Sequence, residues 1–394
     1  MKAEILIAVL VSALAFVVYT FVGYPMLIWL LARRRPRDRA PGPPGEWPMI
    51  SITLAAYNEA AGIRQTLESL LALDYPAERR QILVISDAST DGTDDIVLEF
   101  SDRGVELLRM PERKGKTAGE NAALPHLRGD IIVNTDASIR IHPGALKPLI
   151  AAFQAETVGL ASGRDISVAE AGETANPGES GYVDFEMRLR DMETRTAGIV
   201  GASGCFYAIR SELHKTRIPD GLSRDFAAAL ITRERGYRPI SVNEAVCFVP
   251  RTSSMSREYR RKVRTIARGI QTLFHKGSLL NPFRFGLYAW MLFSHKLCRW
   301  LVPWAFVLAG LSLVGLALTR PWARWLIGLG IVGLLLALLA RLLPASNRVR
   351  RIVALPAFLA LSNTAALHAW LHVMRGDRSP TWEPTRREPA GGVR

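Results

Sequence analysis

Gln81-Ile82-Leu83-Val84-Ile85-Ser86-Asp87-Ala88-Ser89-Thr90-Asp91-Gly92-Thr93-Asp94 is the stretch on which the fold turns. The apolar, β-branched run 81–85 reads as a buried strand, and the polar, Gly-containing segment after it reads as a loop at its carboxyl end. The same grammar occurs on either side. Ile50-Ser51-Ile52-Thr53-Leu54 runs into Ala55-Ala56-Tyr57-Asn58-Glu59, and Asp130-Ile131-Ile132-Val133 runs into Asn134-Thr135-Asp136-Ala137-Ser138. Helix-patterned stretches separate them: residues 61–73, with Ile63, Leu67, Leu70 and Leu71 at helical spacing, and residues 94–103. Strand–helix alternation of this kind predicts an α/β fold with a mostly parallel open sheet. Such sheets bind ligands beyond the carboxyl ends of their strands. Glu59, Asp87 and Asp136 are therefore expected to converge on one edge. Asp87 directly follows a buried-type strand, where an unpaired carboxylate is costly. Asp91 and Asp94 read equally well as part of a turn and helix cap, with Thr93 as the N-cap residue.

The rest of the 394 residues adds membrane character. Mean hydropathy is slightly positive, at +0.12. Apolar runs occupy 5–32, 301–318, 325–343 and 352–374, each near the roughly 20 residues that cross a bilayer. The first run outlasts a cleavable signal core and is followed by Arg33, Arg34, Arg35, Arg37 and Arg39, so it reads as an anchor whose carboxyl end is cytoplasmic. The chain divides into an N-terminal transmembrane helix (1–32), a basic, Pro-rich linker (33–48), a cytoplasmic domain (49–250), amphipathic or interfacial helices (251–300), C-terminal transmembrane segments (301–374) and a tail (375–394). Residues 283–300 read as an interfacial helix. Residues 352–374 read as a fourth span, with a re-entrant segment that returns Trp382 to the domain as the alternative. Residues 169–180 read as a mobile loop before a helix near Tyr182. The net charge of +14 is carried by arginines beside the spans and in one later helix, with no nucleic-acid module, so anionic lipid heads and a diphosphate account for it. Cys205, Cys247 and Cys298 show neither metal-binding spacing nor a disulfide framework.

Tyr57-Asn58-Glu59, Asp87-Ala88-Ser89, Arg113-Lys114-Gly115-Lys116 with Asn121, Asp136-Ala137-Ser138 and Leu222-Ser223-Arg224-Asp225-Phe226, in that order, resemble the family 2 glycosyltransferases of GT-A fold over residues 48–275. The resemblance implies that Tyr57, Glu59, Asp87 and Lys116 hold the nucleotide. Asp136, with Ser138 where the family has a second Asp, would share Mg²⁺ or Mn²⁺ with the diphosphate, as hard oxygen donors do. Gly201-Ala202-Ser203-Gly204-Cys205-Phe206 is similar to the acceptor-side segment, implicating Ser203, Gly204 and Cys205. A tight turn under a helix explains the same small residues. Asp225 matches the catalytic base, although Arg224 replaces the usual acidic neighbour; alternatively Ser223 caps a helix Arg224–Glu234 with Asp225 as a first-turn charge.

Arg257, Arg261, Arg264 and Arg268 share one helix face. Arg264 matches the arginine that contacts the leaving diphosphate, with Arg261 beside it, while the Gln and Trp of processive members are missing. The resemblance implies a membrane-bound inverting transferase in the cytoplasmic membrane that moves a sugar from a nucleotide-sugar, a UDP-sugar by family, to a glycan or lipid-linked acceptor. A polyprenyl-phosphate sugar synthase and an inactive scaffold of a polysaccharide export complex are the alternatives.

Overall fold

The computed structural model describes residues 2–35, 42–169, 177–251, 255–339 and 348–377. Residues 36–41 of the basic linker, residues 170–176 of the 169–180 loop, the tail from residue 378 onwards with Trp382, and the side chain of Arg257 lie outside the described residues.

The three strands read from the sequence form at the expected places: β1 (Ile50–Ala56), β2 (Arg80–Ser86) and, with β3 (Val105–Arg109) between them in the chain, β4 (Ile131–Asp136). They are the parallel half of an eight-stranded sheet ordered β3-β2-β1-β4-β7-β6-β8-β5. The other half is mixed. β7 (Phe206–Arg210) runs antiparallel between β4 and β6 (Val158–Ala169), β6 pairs in parallel with β8 (Arg238–Arg251), and β5 (Arg140–Ile141) closes the edge antiparallel to β8. The expected mostly parallel sheet is thus a mixed one. The reversal at β7 matters for function. Thr135 pairs with Phe206, so the chain entering β7, residues 201–205, lies beside the exit of β4 at Asp136.

Ile50, Ile52 and Leu54 point into a core closed by Ile63, Leu67 and Leu70 of the first crossover helix, α1 (Ile63–Leu71). All six are at most 1% exposed. Each such side chain is worth about 1.5–3 kcal/mol of burial. The second crossover helix is shorter than read. α2 covers Thr93–Leu98, and a single 3₁₀ turn at Ser101–Arg103 ends at Gly104, whose φ of +83° suits glycine. Helix α3 (Lys116–Ala123) starts at Lys116 and α4 (Arg224–Glu234) spans the expected residues. The helix expected near Tyr182 begins earlier, so α5 runs Pro177–Thr196 with proline in its first turn.

Two helices are long and apolar enough to cross a membrane among the described residues, Lys2–Arg33 and Leu287–Ala317. The stretch 283–300 is therefore not a separate interfacial helix. The chain bends at Gly286, φ +53°, and then runs as one helix from Leu287 to Ala317. Each long helix contains a π-helical turn, Tyr19–Gly23 and Phe293–Leu297. The turns face each other through a Tyr19 hydroxyl to Ser294 hydroxyl bond of 2.7 Å. Beside them the pair docks on α5. The Tyr24 hydroxyl donates to Glu193 Oε1 at 2.6 Å, and His295 lies 2.5 Å from the same oxygen and 3.1 Å from Glu186 Oε2. Burial alone would raise Glu186, but Arg299 and His295 hold it well below the usual carboxylate range.

Helix α6 (Met255–His275) carries the arginine row, and a C-terminal helix, Arg348–Arg375, packs along it. Ala365 and Ala369 are fully buried against Val263. Trp370 donates to the Trp300 carbonyl at 2.7 Å, and Gln271 to the Asp377 carbonyl at 3.2 Å.

Candidate active site

The first two loops at the sheet edge are sewn together by their own polar groups. Asn58 stands at φ +53° and accepts the Thr90 N–H at 2.8 Å. The Glu59 N–H donates to the Thr93 hydroxyl at 2.9 Å, and the Ala60 N–H to Asp91 Oδ2 at 3.0 Å. Asp91 Oδ1 takes the Thr93 N–H at 3.1 Å. Asp91 is therefore structural. The N-cap position belongs to Gly92, at φ +88°, rather than to Thr93, whose fully buried hydroxyl is engaged by the Glu59 N–H. Tyr57 presents its ring beneath the Arg113 guanidinium, 3.9 Å from the centroid.

Asp87 is 7% exposed and answers the cost of burial with two backbone donors, Lys114 N–H and Gly115 N–H, each at 2.8 Å. It thereby sets the loop from which α3 starts and fixes where Lys116 points. Lys116 Nζ lies 2.5 Å from Asp136 Oδ1 and 3.2 Å from the Gly204 carbonyl. Burial alone would lower Lys116, but Asp136 and then Glu120 outweigh it and hold the ammonium above its ordinary value.

Gly204 also meets Asp225. A Cβ on Gly204 would stand 2.9 Å from Asp225 Oδ2, so the absence of a side chain is what admits the carboxylate. Ser223 occupies the N-cap position of α4 but makes no capping bond, since its hydroxyl donates to Asp225 Oδ1 instead. Ser203, next to Gly204 in the chain, donates to both oxygens of Asp165, at 2.7 and 2.8 Å, and Cys247 lies 3.3 Å from Asp165 Oδ1. Burial, then Asp165, pushes the Cys247 thiol up and keeps it protonated. Cys205 enters β7 half-buried beside the Ser203 hydroxyl, which accepts its N–H at 3.2 Å.

Three residues of this site were missed from the sequence. Arg224 does not face the cleft. It is 5% exposed, donates to Asn121 Oδ1 at 2.9 Å and sits 3.5 Å from Glu120 Oε2. Glu120, four residues after Lys116, is raised by burial against the pull of Lys116 and Arg224. Arg268 is the member of the arginine row that reaches the Asp225 loop, through the Thr117 hydroxyl at 2.8 Å and the Gly221 and Leu222 carbonyls. Arg261, one of the two expected diphosphate contacts, is forked onto Glu258 of its own helix at 2.9 and 3.0 Å. Arg264 lies between them on that face, half-buried, and Ser138 lies half-buried two residues past β4. Helical spacing at four, three and four announced a common face for these arginines but not which of them would turn inward.

An open sheet with acidic groups at its carboxyl edge, a reversed strand bringing a small-residue segment beside them, and a helix-borne carboxylate facing that segment make up a GT-A fold. Residues 51–217 match the family model Glycosyl transferase family 2. A mannosyltransferase of Pyrobaculum calidifontis, solved with GDP-Man and Mn²⁺, superposes with a TM-score of 0.70 over 93% of this chain and 99% of that one, at 22% identity. The likeness establishes the fold. Among curated relatives, the beta-monoglucosyldiacylglycerol synthase of Nostoc is 30% identical over 171 residues, 42% of this chain and 36% of that protein. The poly-beta-1,6-N-acetyl-D-glucosamine synthase of Staphylococcus epidermidis is 31% identical over 97 residues, 24% of this chain and 23% of that protein. The chain thus spans only about a quarter to a third of the length of these relatives.

Proposed function

We propose that this glycosyltransferase is membrane-bound and inverting, and moves a sugar from a nucleotide-sugar, a UDP-sugar in our reading, to a glycan or lipid-linked acceptor. The observation that carries the reading is the convergence of Asp136, Lys116, Gly204 and Asp225 within one chain of contacts. Asp225 serves as the base. An acceptor hydroxyl attacks the anomeric carbon, its proton passes to the Asp225 carboxylate, and the bond from that carbon to the diphosphate oxygen breaks with release of the nucleoside diphosphate. Ser223 holds one oxygen of the base, and Gly204 leaves room for the other. Tyr57, Glu59 and Asp87 frame the nucleoside, and Lys116 faces the phosphates with Arg264 and Arg261 at the leaving-group side.

The donors at Asp136 fit a hard divalent cation. The Asp136 side chain is 30% exposed, and with the Ser138 hydroxyl it offers only oxygen. No group of three His, Cys, Asp or Glu side chains that could hold a metal occurs among the described residues, so the diphosphate and water would supply the remaining ligands. Mg²⁺ or Mn²⁺ there would supply Lewis-acid stabilisation of the leaving group.

The acceptor-side segment packs against the second long helix. A Cβ on Gly201 would meet Lys296 Cε at 3.2 Å, and Arg190 donates to the Ala202 carbonyl at 3.4 Å. Two cations beside this segment, one of them on a membrane-length helix, favour an acceptor carried by the membrane.

The test is incubation of the purified full chain with a panel of nucleotide-sugars, reading free nucleoside diphosphate. Asp225→Asn should lose about 10²–10⁴ in rate while binding nucleotide as the wild type does. Wild-type turnover in that variant would remove Asp225 from the base's role.

A further inference from the structure

A second basic site lies away from this cleft, at the opposite end of α4. A cavity of about 510 Å³ is lined by Arg35, Arg195, Arg233 and Arg238, with Thr196 and Leu287. The four arginines come from four separate elements: the exit of the first long helix, the last turn of α5, the last turn of α4 and the start of β8. Arg35 and Arg238 are steadied by carbonyls of α5, at Thr196 and Thr194 respectively, the latter at 3.1 Å. Arg195 pairs with Asp191 at 3.2 Å, and Arg233 lies 5.5 Å over the Tyr288 ring. The Nε groups of both Arg195 and Arg233 are buried and bond nothing among the described residues. Among the described residues, no carboxylate lines the cavity.

Four guanidinium groups around one hollow, with buried donors left over, form a site for an anion with several acceptor oxygens, which is the chemistry of a phosphate. The position identifies its source. Arg35 stands two residues past the helix Lys2–Arg33, and Leu287 is the first residue of the helix Leu287–Ala317. The hollow therefore opens where both apolar helices emerge, the depth at which lipid headgroups lie. It is also separate from the donor cleft. Asp225 and Arg233 are eight residues apart on α4, about 12 Å along its axis. We propose that this pocket binds the phosphate of an anionic phospholipid headgroup at the membrane surface. The proposal rests on the membrane reading given above.

The test uses the full chain in a neutral detergent, titrated with phosphatidylglycerol or phosphatidylcholine and followed by native mass spectrometry. Wild type should retain one phosphatidylglycerol at concentrations where phosphatidylcholine leaves none bound. Arg195→Gln/Arg233→Gln should weaken that retention about tenfold or more while melting near the wild-type temperature. Equal retention of the two lipids by wild type overturns the pocket without any variant. Unchanged phosphatidylglycerol binding in the double variant overturns it too. Displacement of the lipid by an equal concentration of inorganic phosphate would assign the hollow to a soluble anion and overturn the lipid source. A parallel measurement of partition into pure phosphatidylcholine vesicles keeps the two readings apart. Failure to partition removes the membrane anchor itself, whereas partition without anionic preference removes only the pocket.

Discussion

Lys116 Nζ lies 2.5 Å from Asp136 Oδ1, so the carboxylate expected to meet a metal is already neutralised by an ammonium from α3. Any cation entering without nucleotide must compete with that pair. Lys116→Met should strengthen Mn²⁺ binding in the absence of nucleotide, about fivefold for a partly buried pair worth ~1 kcal/mol, and should weaken UDP binding. Ser138→Asp should strengthen metal binding with or without nucleotide, and Asp136→Ala should abolish the metal's effect on UDP. Calorimetric titration of Mn²⁺ with and without UDP reads all three. Full activity in excess chelator would show that the diphosphate is neutralised by the protein's own cations.

Gly204 is the second pressure point. An alanine there would put its methyl 2.9 Å from Asp225 Oδ2, and a side chain as short as Asp cannot yield without moving its carboxylate. Gly204→Ala should therefore lower kcat about tenfold or more through misplacement of the base, with UDP affinity close to wild type. Steady-state kinetics beside a nucleotide titration would show the split. An unchanged kcat would mean that the approach of Gly204 to Asp225 has no part in turnover.

His214 makes stability depend on pH. It is 2% exposed, its Nε2 is buried without a hydrogen bond among the described residues, and burial together with the nearby Arg224 holds it well below 6.5. The unfolded imidazole titrates near pH 6.5. Because the folded value is depressed, this contribution is present above about pH 6.5 and is lost as pH falls, with a slope of up to ~1.4 kcal/mol per pH unit. Glu120, raised in the folded state, acts with the opposite sign nearer the carboxylate range. His214→Leu should flatten the fall in melting temperature between about pH 7 and pH 5. Calorimetric melting of both proteins across that range checks it, and parallel curves would remove His214 as the cause.

The C-terminal helix poses a question of sidedness. Asp377 is hydrogen-bonded to Gln271 of α6, and Trp370 to Trp300, near the middle of the second long helix. Its end therefore lies with the catalytic domain, in contrast to the four-span reading, which sends it to the opposite face. In a background lacking the three native cysteines, Asp377→Cys should react with an impermeant maleimide only from the face that bears the domain. Reaction from the other face alone would restore the full crossing.

The catalytic half was legible because strand register is written locally. Val84 and Ile85 have nowhere to go but a buried strand, and the residues next in the chain must lie at that strand's end, so Glu59, Asp87 and Asp136 could be placed at one edge from the chain alone. Arg224 shows the limit. Beside Asp225 it read only as a replacement of the usual acidic neighbour, yet a helix turns about 100° per residue, and one step is enough to carry its guanidinium into the interior beside Glu120 and Asn121. Arg268 failed for the same reason in reverse, since the row of arginines shares a face but only contact with Thr117 and the 221–222 carbonyls decides which member enters the site.

What the sequence determined by itself is whatever neighbours along the chain enforce: the parallel strands, their loops, the helix Arg224–Glu234 and the long apolar runs. What only the tertiary structure decided is whatever depends on elements distant in the chain coming to one place. Thr135 opposite Phe206 brings the 201–205 segment to Asp136, Gly204 admits Asp225, and four arginines drawn from residues 35 to 238 close around one hollow. Side-chain charges reveal their partners only when packing has chosen them, because the free energy of a charge depends on burial and on the groups within a few ångströms, and neither is a property of the local sequence.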